Sequence, residues 1–311
     1  MKEEKIFYKI IDDICREKEI KQTLLSYGWI RELSKNNKIR HIIGYQFDIN
    51  SASSYKIVSD KFATYEVLHT NGIPTIPHKM IFNSKTRSLY YNDEFIEEAL
   101  KILRANKKIV VKANDSYKGK DVYLCSNENQ VRNIVKKLFE ENNDTLSACP
   151  YIDIDFEYRV ICLNGKVSYV YKKKKPYITG DGVHTIKELI YDKFIKNNIK
   201  PSLFLELELE KIPKKSEEIT ISWKHNLSSG AEVILVSDNE ENIEKIKNIA
   251  LLSAKAVNIN FASVDVSLTS DKKIQVMEIN GNVCMNKFID LVPNGYEIAK
   301  RIYKEAIELM F

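Results

Sequence analysis

Hydrophobic and polar positions recur along this chain with two periods, and each period predicts a different element. Near the start, Phe7, Ile10, Ile11 and Ile14 fall at i, i+3, i+4 and i+7, one apolar face of a helix. A weaker helix is predicted over Gln22–Leu33 and a strand over His41–Phe47. Ser59-Asp60-Lys61 opens a helix with Phe62, Tyr65 and Leu68 on one face, stopped by Asn71-Gly72. Ile73–Pro77 is extended, because each proline turns its predecessor away from helix. Next in order are a helix over Glu94–Arg104, a strand over Lys108–Ala113, a polar loop over Asn114–Lys120 and a strand over Asp121–Leu124. After them come a helix over Glu128–Glu141 and a short strand, Leu146–Cys149, ended by Pro150.

The second half continues with strands. Phe156–Leu163 and Lys166–Tyr171 form a hairpin about Asn164-Gly165, a strong two-residue turn signal. The loop Pro176–His184 leads to a helix in which Thr185 and Glu188 are spaced as a capping box. Strands over Ile219–Trp223 and Ala231–Val236 flank Lys224–Gly230; a helix over Glu240–Ala256 and a last one over Tyr296–Met310 enclose a final hairpin. The class is mixed α+β with mostly antiparallel sheets.

That final hairpin, within Ser263–Asn286, concentrates the candidate chemistry. Side chains two apart on a strand share a face, so Ser263, Asp265 and Ser267 lie together, as do Glu278 and Asn280. With a turn near Ser270-Asp271, Asp265 falls opposite Glu278. Two carboxylates and an amide then converge between valines and isoleucines, which is costly without a compensating cation and suits Mg²⁺. The same pattern also fits an exposed hairpin whose acids face water.

Composition narrows the classes. A length of 311 residues suggests about two domains. There is no apolar run of ~18 residues and no signal-like leader, so neither a membrane role nor secretion is expected. Five scattered cysteines without CxxC spacing fit reduced thiols in a cytoplasm. A net charge of +5 admits an anionic ligand and does not point to nucleic acid. Only ten glycines occur, and Gly119, Gly180, Gly182, Gly230 and Gly281 stand in polar loops beside candidate site residues.

Lys112 interrupts the run Ile109-Val110-Val111, where it either points outward or meets an anion. The next loop, Asn114–Lys120, offers backbone N–H groups, a hydroxyl, ammonium groups and Gly119, donors able to fold over phosphates. Neither GxxxxGK[ST] nor GxGxxG occurs, which removes the two commonest nucleotide-binding motifs.

Asp60-Lys61, Ile109–Ala113 with its glycine loop, Glu157-Tyr158-Arg159, Gly180-Asp181-Gly182-Val183-His184-Thr185, Asn226–Gly230 and Glu278-Ile279-Asn280 occur in one order. In that order the chain resembles the ATP-grasp ligases, in their glutathione synthetase and cyanophycin synthetase branch, from about Ser51 onward. The resemblance implies two α+β subdomains clasping ATP, residues 59–149 and 150–311 of an ATP-grasp domain spanning 59–311. A short N-terminal α/β domain, 1–58, precedes it.

Carried over residue by residue, the resemblance implies that Lys61 and Lys112 hold phosphates and that the loop carrying Ser116, Gly119 and Lys120 covers them. Asp265, Glu278 and Asn280 would bind two Mg²⁺ ions. Residues Ala148–Tyr151 would form the adenine hinge, with Cys149 and Tyr151 where the family commonly has a glutamate, and Glu157 would meet the ribose. Lys174 stands where the branch has arginine, and Lys224 or Ser222 replaces another just before Asn226; these make Lys174, Lys224 and Asn226 the catalytic expectation. The implied activity is an ADP-forming carboxylate–amine ligase working through an acyl-phosphate, with small-molecule substrates or a peptide or carrier protein as acceptor. The alternatives are transfer to a carrier thiol or a protein terminus, and an ATP-binding scaffold without turnover. Because residues 1–58 show two helices and one strand, too few strands for a sheet, the acceptor side of the cleft is expected to be either unusually open, which suits a bulky acceptor, or completed by a second subunit; the Phe7–Ile14 stripe, which so small a domain can hardly cover alone, favours the dimer.

Overall fold

The computed structural model describes residues 6–83, 95–115, 121–141, 143–204 and 206–311. Helix α1 (Ile6–Glu17) forms where the apolar stripe predicts it. The segment after α1 differs from expectation. Instead of a helix over Gln22–Leu33, strands β1 (Lys21–Leu25), β2 (Ile30–Lys35), β3 (Lys38–Ile43) and β4 (Gln46–Phe47) build a four-stranded antiparallel meander in that order. The reason lies in the turns. Ser26 and Tyr27 have φ of 49° and 58°, and Asn36-Asn37 (φ 48° and 60°) join β2 to β3 as a two-residue turn with both residues left-handed. Asparagine tolerates that conformation, so Asn-Asn is a hairpin signal that a helical reading of Leu24, Leu25, Ile30 and Leu33 passes over.

The α1 stripe is not left open. Phe7, Ile10, Ile11 and Ile14 are at most 1% exposed and pack with Leu33, Ile42 and Phe47 of the meander. Ile302, Tyr303, Ala306 and Ile307, near the C-terminus, complete that core. The uncovered stripe that suggested a second subunit is therefore covered within the chain.

Helices α2 (Ala52–Ser59) and α3 (Lys61–Thr70) meet at Asp60, whose carboxylate accepts the Ala63 N–H at 2.8 Å and caps α3. A four-stranded antiparallel sheet comes next, made of β5 (Lys79–Phe82), β6 (Ile109–Ala113), β7 (Val122–Cys125) and β8 (Thr145–Pro150) in the order β5-β8-β6-β7. Helices α4 (Phe95–Asn106) and α5 (Glu128–Glu140) cover one face, burying Ile81, Ile109, Val111, Leu146 and Ala148. The alternate residues of the same strands face the other way.

The larger sheet consists of β9 (Phe156–Leu163), β10 (Lys166–Lys174), β13 (Glu232–Leu235), β14 (Phe261–Leu268) and β15 (Ile274–Asn280). Their order is β13-β10-β9-β14-β15. A two-stranded ribbon, β11 (Tyr177–Thr179) with β12 (Glu218–Thr220), carries α6 (Ile186–Lys193), whose capping box is present in both halves. Helix α7 (Ile243–Ala256) backs the large sheet, and α8 (Asn286–Leu291) and α9 (Gly295–Glu308) return the chain to α1. The connector Ile73–Pro77 binds β15 directly: Ile76 N–H donates to Val276 O at 3.2 Å and Val276 N–H to Pro74 O at 2.9 Å. That contact ties the small sheet to the strand carrying Glu278 and Asn280.

Candidate functional site between two sheets

Register on the large sheet places the acids. Asp265 on β14 lies opposite Glu278 on β15, and Ser263 opposite Asn280, as strand alternation predicts. On its other side Asp265 faces Arg159 of β9, which in turn faces Tyr171 of β10. A second row, one pleat along, sets Lys173 of β10 opposite Glu157 of β9. Arg159 grips Asp265 with two parallel hydrogen bonds, Nε to Oδ1 at 2.8 Å and Nη2 to Oδ2 at 2.6 Å. The Lys173 ammonium is paired with Glu157 and lies 3.6 Å from Asp265 Oδ1.

Four charges thus neutralise one another, three of them buried and Arg159 half-buried. Burial pushes the Asp265 carboxyl up, but Arg159 and Lys173 together hold it below the ordinary carboxylate range. Burial dominates at Glu157 and raises it despite Lys173. Glu157 therefore presents its carboxylate to Lys173 and is almost fully enclosed. Lys174 is not brought to this row. It sits on the opposite pleat, 2.6 Å from Glu218 and over the Tyr177 ring. The cation that reaches Asp265 is its neighbour Lys173, a residue the sequence motifs do not single out.

Facing this row is the small sheet. Lys61, at the start of α3, donates from Nζ to Asn114 O at 3.1 Å, while Asn114 Oδ1 accepts the Phe62 N–H at 3.2 Å. Burial lowers the Lys61 ammonium below its usual value; Lys112 adds to this and Glu278 opposes it, so the three lie within one electrostatic neighbourhood. Lys61, Glu278, Thr75, Met277 and His78 line one cavity. Ser116, Gly119 and Lys120 lie outside the described residues.

Between the sheets lies an apolar slot. Val110, Cys149 and Ile76 from the small sheet side cluster with Met277 of β15 and with Tyr151 and Trp223. Burial pushes the Cys149 thiol up, away from any thiolate role. The Tyr151 N–H donates to Lys108 O at 3.1 Å, and its ring meets Trp223 edge-on at 5.9 Å. Trp223 and Met277 are slot residues that the motif order does not mark; apolar character opposite a hinge strand was the available signal.

The loop before β13 completes the wall. Ser222 is fully buried, and its Oγ accepts the Lys224 N–H at 3.2 Å. Burial lowers the Lys224 ammonium, with Asp121 opposing, and its Nζ lies 5.3 Å from the Trp223 ring centre. Asn226 Oδ1 accepts from Ser228 N and Oγ, forming the turn that ends at Gly230. Gly230 has φ 96°, and a Cβ there would meet the Phe194 ring at 2.6 Å, so only glycine fits.

The donor set can be tested against Mg²⁺. Glu278 and Asn280 are half-buried oxygen ligands on one strand, and Glu278 lies beside Lys61. Arg159 uses one lone pair on each Asp265 oxygen, and a carboxylate has about four such positions. Among the described residues no three His, Cys, Asp or Glu side chains converge. An ion here would be held by two carboxylates and the Asn280 amide, with water and phosphate oxygens completing the shell, which suits Mg²⁺.

Two antiparallel sheets facing each other across an apolar slot, with lysines on one side and a carboxylate pair on the other, match known structures over most of this chain. A bifunctional glutathione synthetase from Pasteurella multocida superposes with a TM-score of 0.56 at 18% identity, covering 96% of this chain and 44% of that one. A D-alanine–D-alanine ligase from Bacillus anthracis superposes with 0.55 at 16% identity, covering 84% and 71%. The chain has the ATP-grasp fold. In sequence it is 25% identical over 237 residues to a glutathione biosynthesis bifunctional protein of Listeria welshimeri, and 25% over 261 residues to a cyanophycin synthetase of Synechocystis sp.. These cover 67% and 73% of this chain but only 30% and 27% of the relatives, so the chain spans less than a third of their length. No family model matches it. Among the described residues no helix is long and apolar enough to cross a membrane.

Proposed function

We propose that this chain is an ATP-dependent carboxylate–amine ligase. The observation that carries the reading is the Asp265–Glu278 pair with Asn280, set across an apolar slot from Lys61 and Lys112 in an ATP-grasp fold. The relatives named for glutathione and cyanophycin synthesis support amide-bond chemistry.

The difficulty of the reaction is charge. A substrate carboxylate has to approach the γ-phosphorus of a polyanionic nucleotide. Lys61 and Lys112 would hold phosphate oxygens, and Glu278, Asn280 and the open lone pairs of Asp265 would hold Mg²⁺, taken as two ions. When bound, the metal supplies neutralisation of the phosphates and of the charge that develops in transfer. The carboxylate oxygen bonds to the γ-phosphorus as the bond to the β–γ bridging oxygen breaks, leaving ADP and an acyl-phosphate. An amine nitrogen then bonds to the acyl carbon, phosphate departs, and the nitrogen loses a proton. Arg159 and Lys173 keep Asp265 ionised throughout. Lys224, whose Nζ lies 5.3 Å from the Trp223 ring centre, would be a catalytic cation by the resemblance alone. No side-chain nucleophile is required.

The test is ADP release in a screen of amino acids, dipeptides and aryl acids, each with and without amines. ADP formed only when a carboxylate and an amine are both present, with a new amide by mass, supports the ligase. ADP release that needs a thiol in place of the amine, or no release with any pair, overturns it.

A further inference from the structure

Among the described residues, two buried polar atoms on this face of the small sheet have no partner: His78 Nε2 and Ser147 Oγ. His78 is 3% exposed and Ser147 is fully enclosed. Buried polar groups are nearly always paired, so an orphan pair on one face calls for an explanation. The register brings them together. Ser147 on β8 is flanked by Met80 of β5 and Lys112 of β6. His78 immediately precedes β5 and, one pleat along, falls in the row of Cys149 and Val110. Cys149 and Val110 are walls of the slot, and His78 lines the adjoining cavity with Lys61, Met277 and Glu278.

The donor and acceptor character of each atom can be worked out. His78 Nδ1 lies 2.8 Å from Ile76 O. A carbonyl only accepts, so Nδ1 carries the proton, and in the neutral ring Nε2 is a bare acceptor. Burial, then Lys112 and Lys61, keep this imidazole well below its usual pKa and hence neutral. Ser147 Oγ can donate. One acceptor and one donor, in successive rows on one face of the small sheet, complement a ligand edge with one donor and one acceptor.

We propose that His78 and Ser147 read the N6/N7 edge of a bound adenine, the Nε2 lone pair accepting from the N6 amino group and the Ser147 hydroxyl donating to N7. Adenine presents a donor and an acceptor on that edge; guanine presents two acceptors, and its O6 would face the bare Nε2. The pair makes the slot selective for adenine, using one side chain just before β5 and one on β8 where the hinge position holds Cys149 and no carboxylate. The inference rests on the ATP reading of the site.

Equilibrium binding by calorimetry of ATP, GTP and 7-deaza-ATP to the full chain with Mg²⁺ tests it without any acceptor substrate. ATP should bind on the order of ten- to a hundredfold more tightly than GTP, and 7-deaza-ATP should fall between them. His78→Leu should bring the ATP and GTP affinities together, and His78→Gln, which restores an acceptor oxygen, should recover the preference. Ser147→Ala should remove the penalty on 7-deaza-ATP. The proposal is overturned alone if the wild-type chain binds ATP but shows no preference over GTP and 7-deaza-ATP, a comparison that needs no variant to fold. An ATP preference that His78→Leu leaves intact also overturns it. Failure of every purine nucleotide to bind overturns it together with the ATP reading.

Discussion

Arg159 and Asp265 face each other across β9 and β14 and share two parallel hydrogen bonds of 2.8 and 2.6 Å, a fork-to-fork pair in which Asp265 is buried and Arg159 half-buried. Such a pair is expensive to break from one side, because the surviving charge stays buried. Arg159→Met should therefore cost about 3–5 kcal/mol of unfolding free energy by chemical denaturation. Arg159→Met combined with Asp265→Leu should cost less than the first change alone. An additive double variant would show that the two side chains do not act as a pair.

Glu278 is the acid of the row that faces Lys61 across the cleft instead of an arginine. Glu278→Gln keeps volume and removes charge, so the fold should persist while ADP release falls by at least two orders of magnitude. The melting temperature should move by no more than a few degrees. Substantial ADP release in a folded Glu278→Gln chain would remove this residue from the metal site.

The loop before α6 carries a pH dependence. Asp181 accepts the Val183 and His184 N–H groups at 2.8 Å each, and its Oδ2 lies 2.5 Å from His184 Nδ1. The hydrogen bond to Asp181 raises the His184 pKa above its ordinary 6.5. A group whose folded pKa is raised stabilises the fold fully below its unfolded pKa and loses that contribution as pH rises through the folded value. Protection of the His184 amide against hydrogen exchange, corrected for intrinsic rate, should thus decline as pH rises through the folded-state value, which lies above 6.5. The imidazole should titrate by NMR above 6.5 in the native chain and return toward it in Asp181→Asn. Equal midpoints in the two chains would refute the coupling.

The parts of this fold that were legible in the sequence are those in which neighbours in the chain are neighbours in space. The α1 stripe, the Asn164-Gly165 hairpin, the Thr185 capping box and the opposition of Asp265 to Glu278 all depend on short-range contacts along the chain. Arg159 on Asp265 does not: it exists because β9 lies between β10 and β14, an order that no local pattern encodes. Lys173 rather than Lys174 reaches the acids because a bulge between Val167 and Tyr169 resets which faces the later residues of β10 occupy. His78 and Ser147 carry no motif at all. They stand out only once burial and the lack of partners are known.

Ile10 is fully buried between the meander and α9, and its loss should be felt far from α1. Phe7, Leu33, Ile42 and Phe47 share one core cluster with Ile161, Phe261, Phe288 and Tyr303, so the N-terminal segment is packed as part of the large-sheet unit. Truncating Ile10 to alanine removes apolar contacts on both sides and leaves a cavity, at a cost of about 2–5 kcal/mol. Because α1 joins the core that also holds Val283 and Met285, just after β15, the loss should spread to the site strand and not remain local. Hydrogen exchange should show β14 and β15 amides losing protection in Ile10→Ala together with α1. If α1 and the meander alone lose protection, while β14 and β15 exchange as in the native chain, the N-terminal segment is a separately folding unit. The shared core would then contribute nothing to holding the Asp265–Glu278 pair in register.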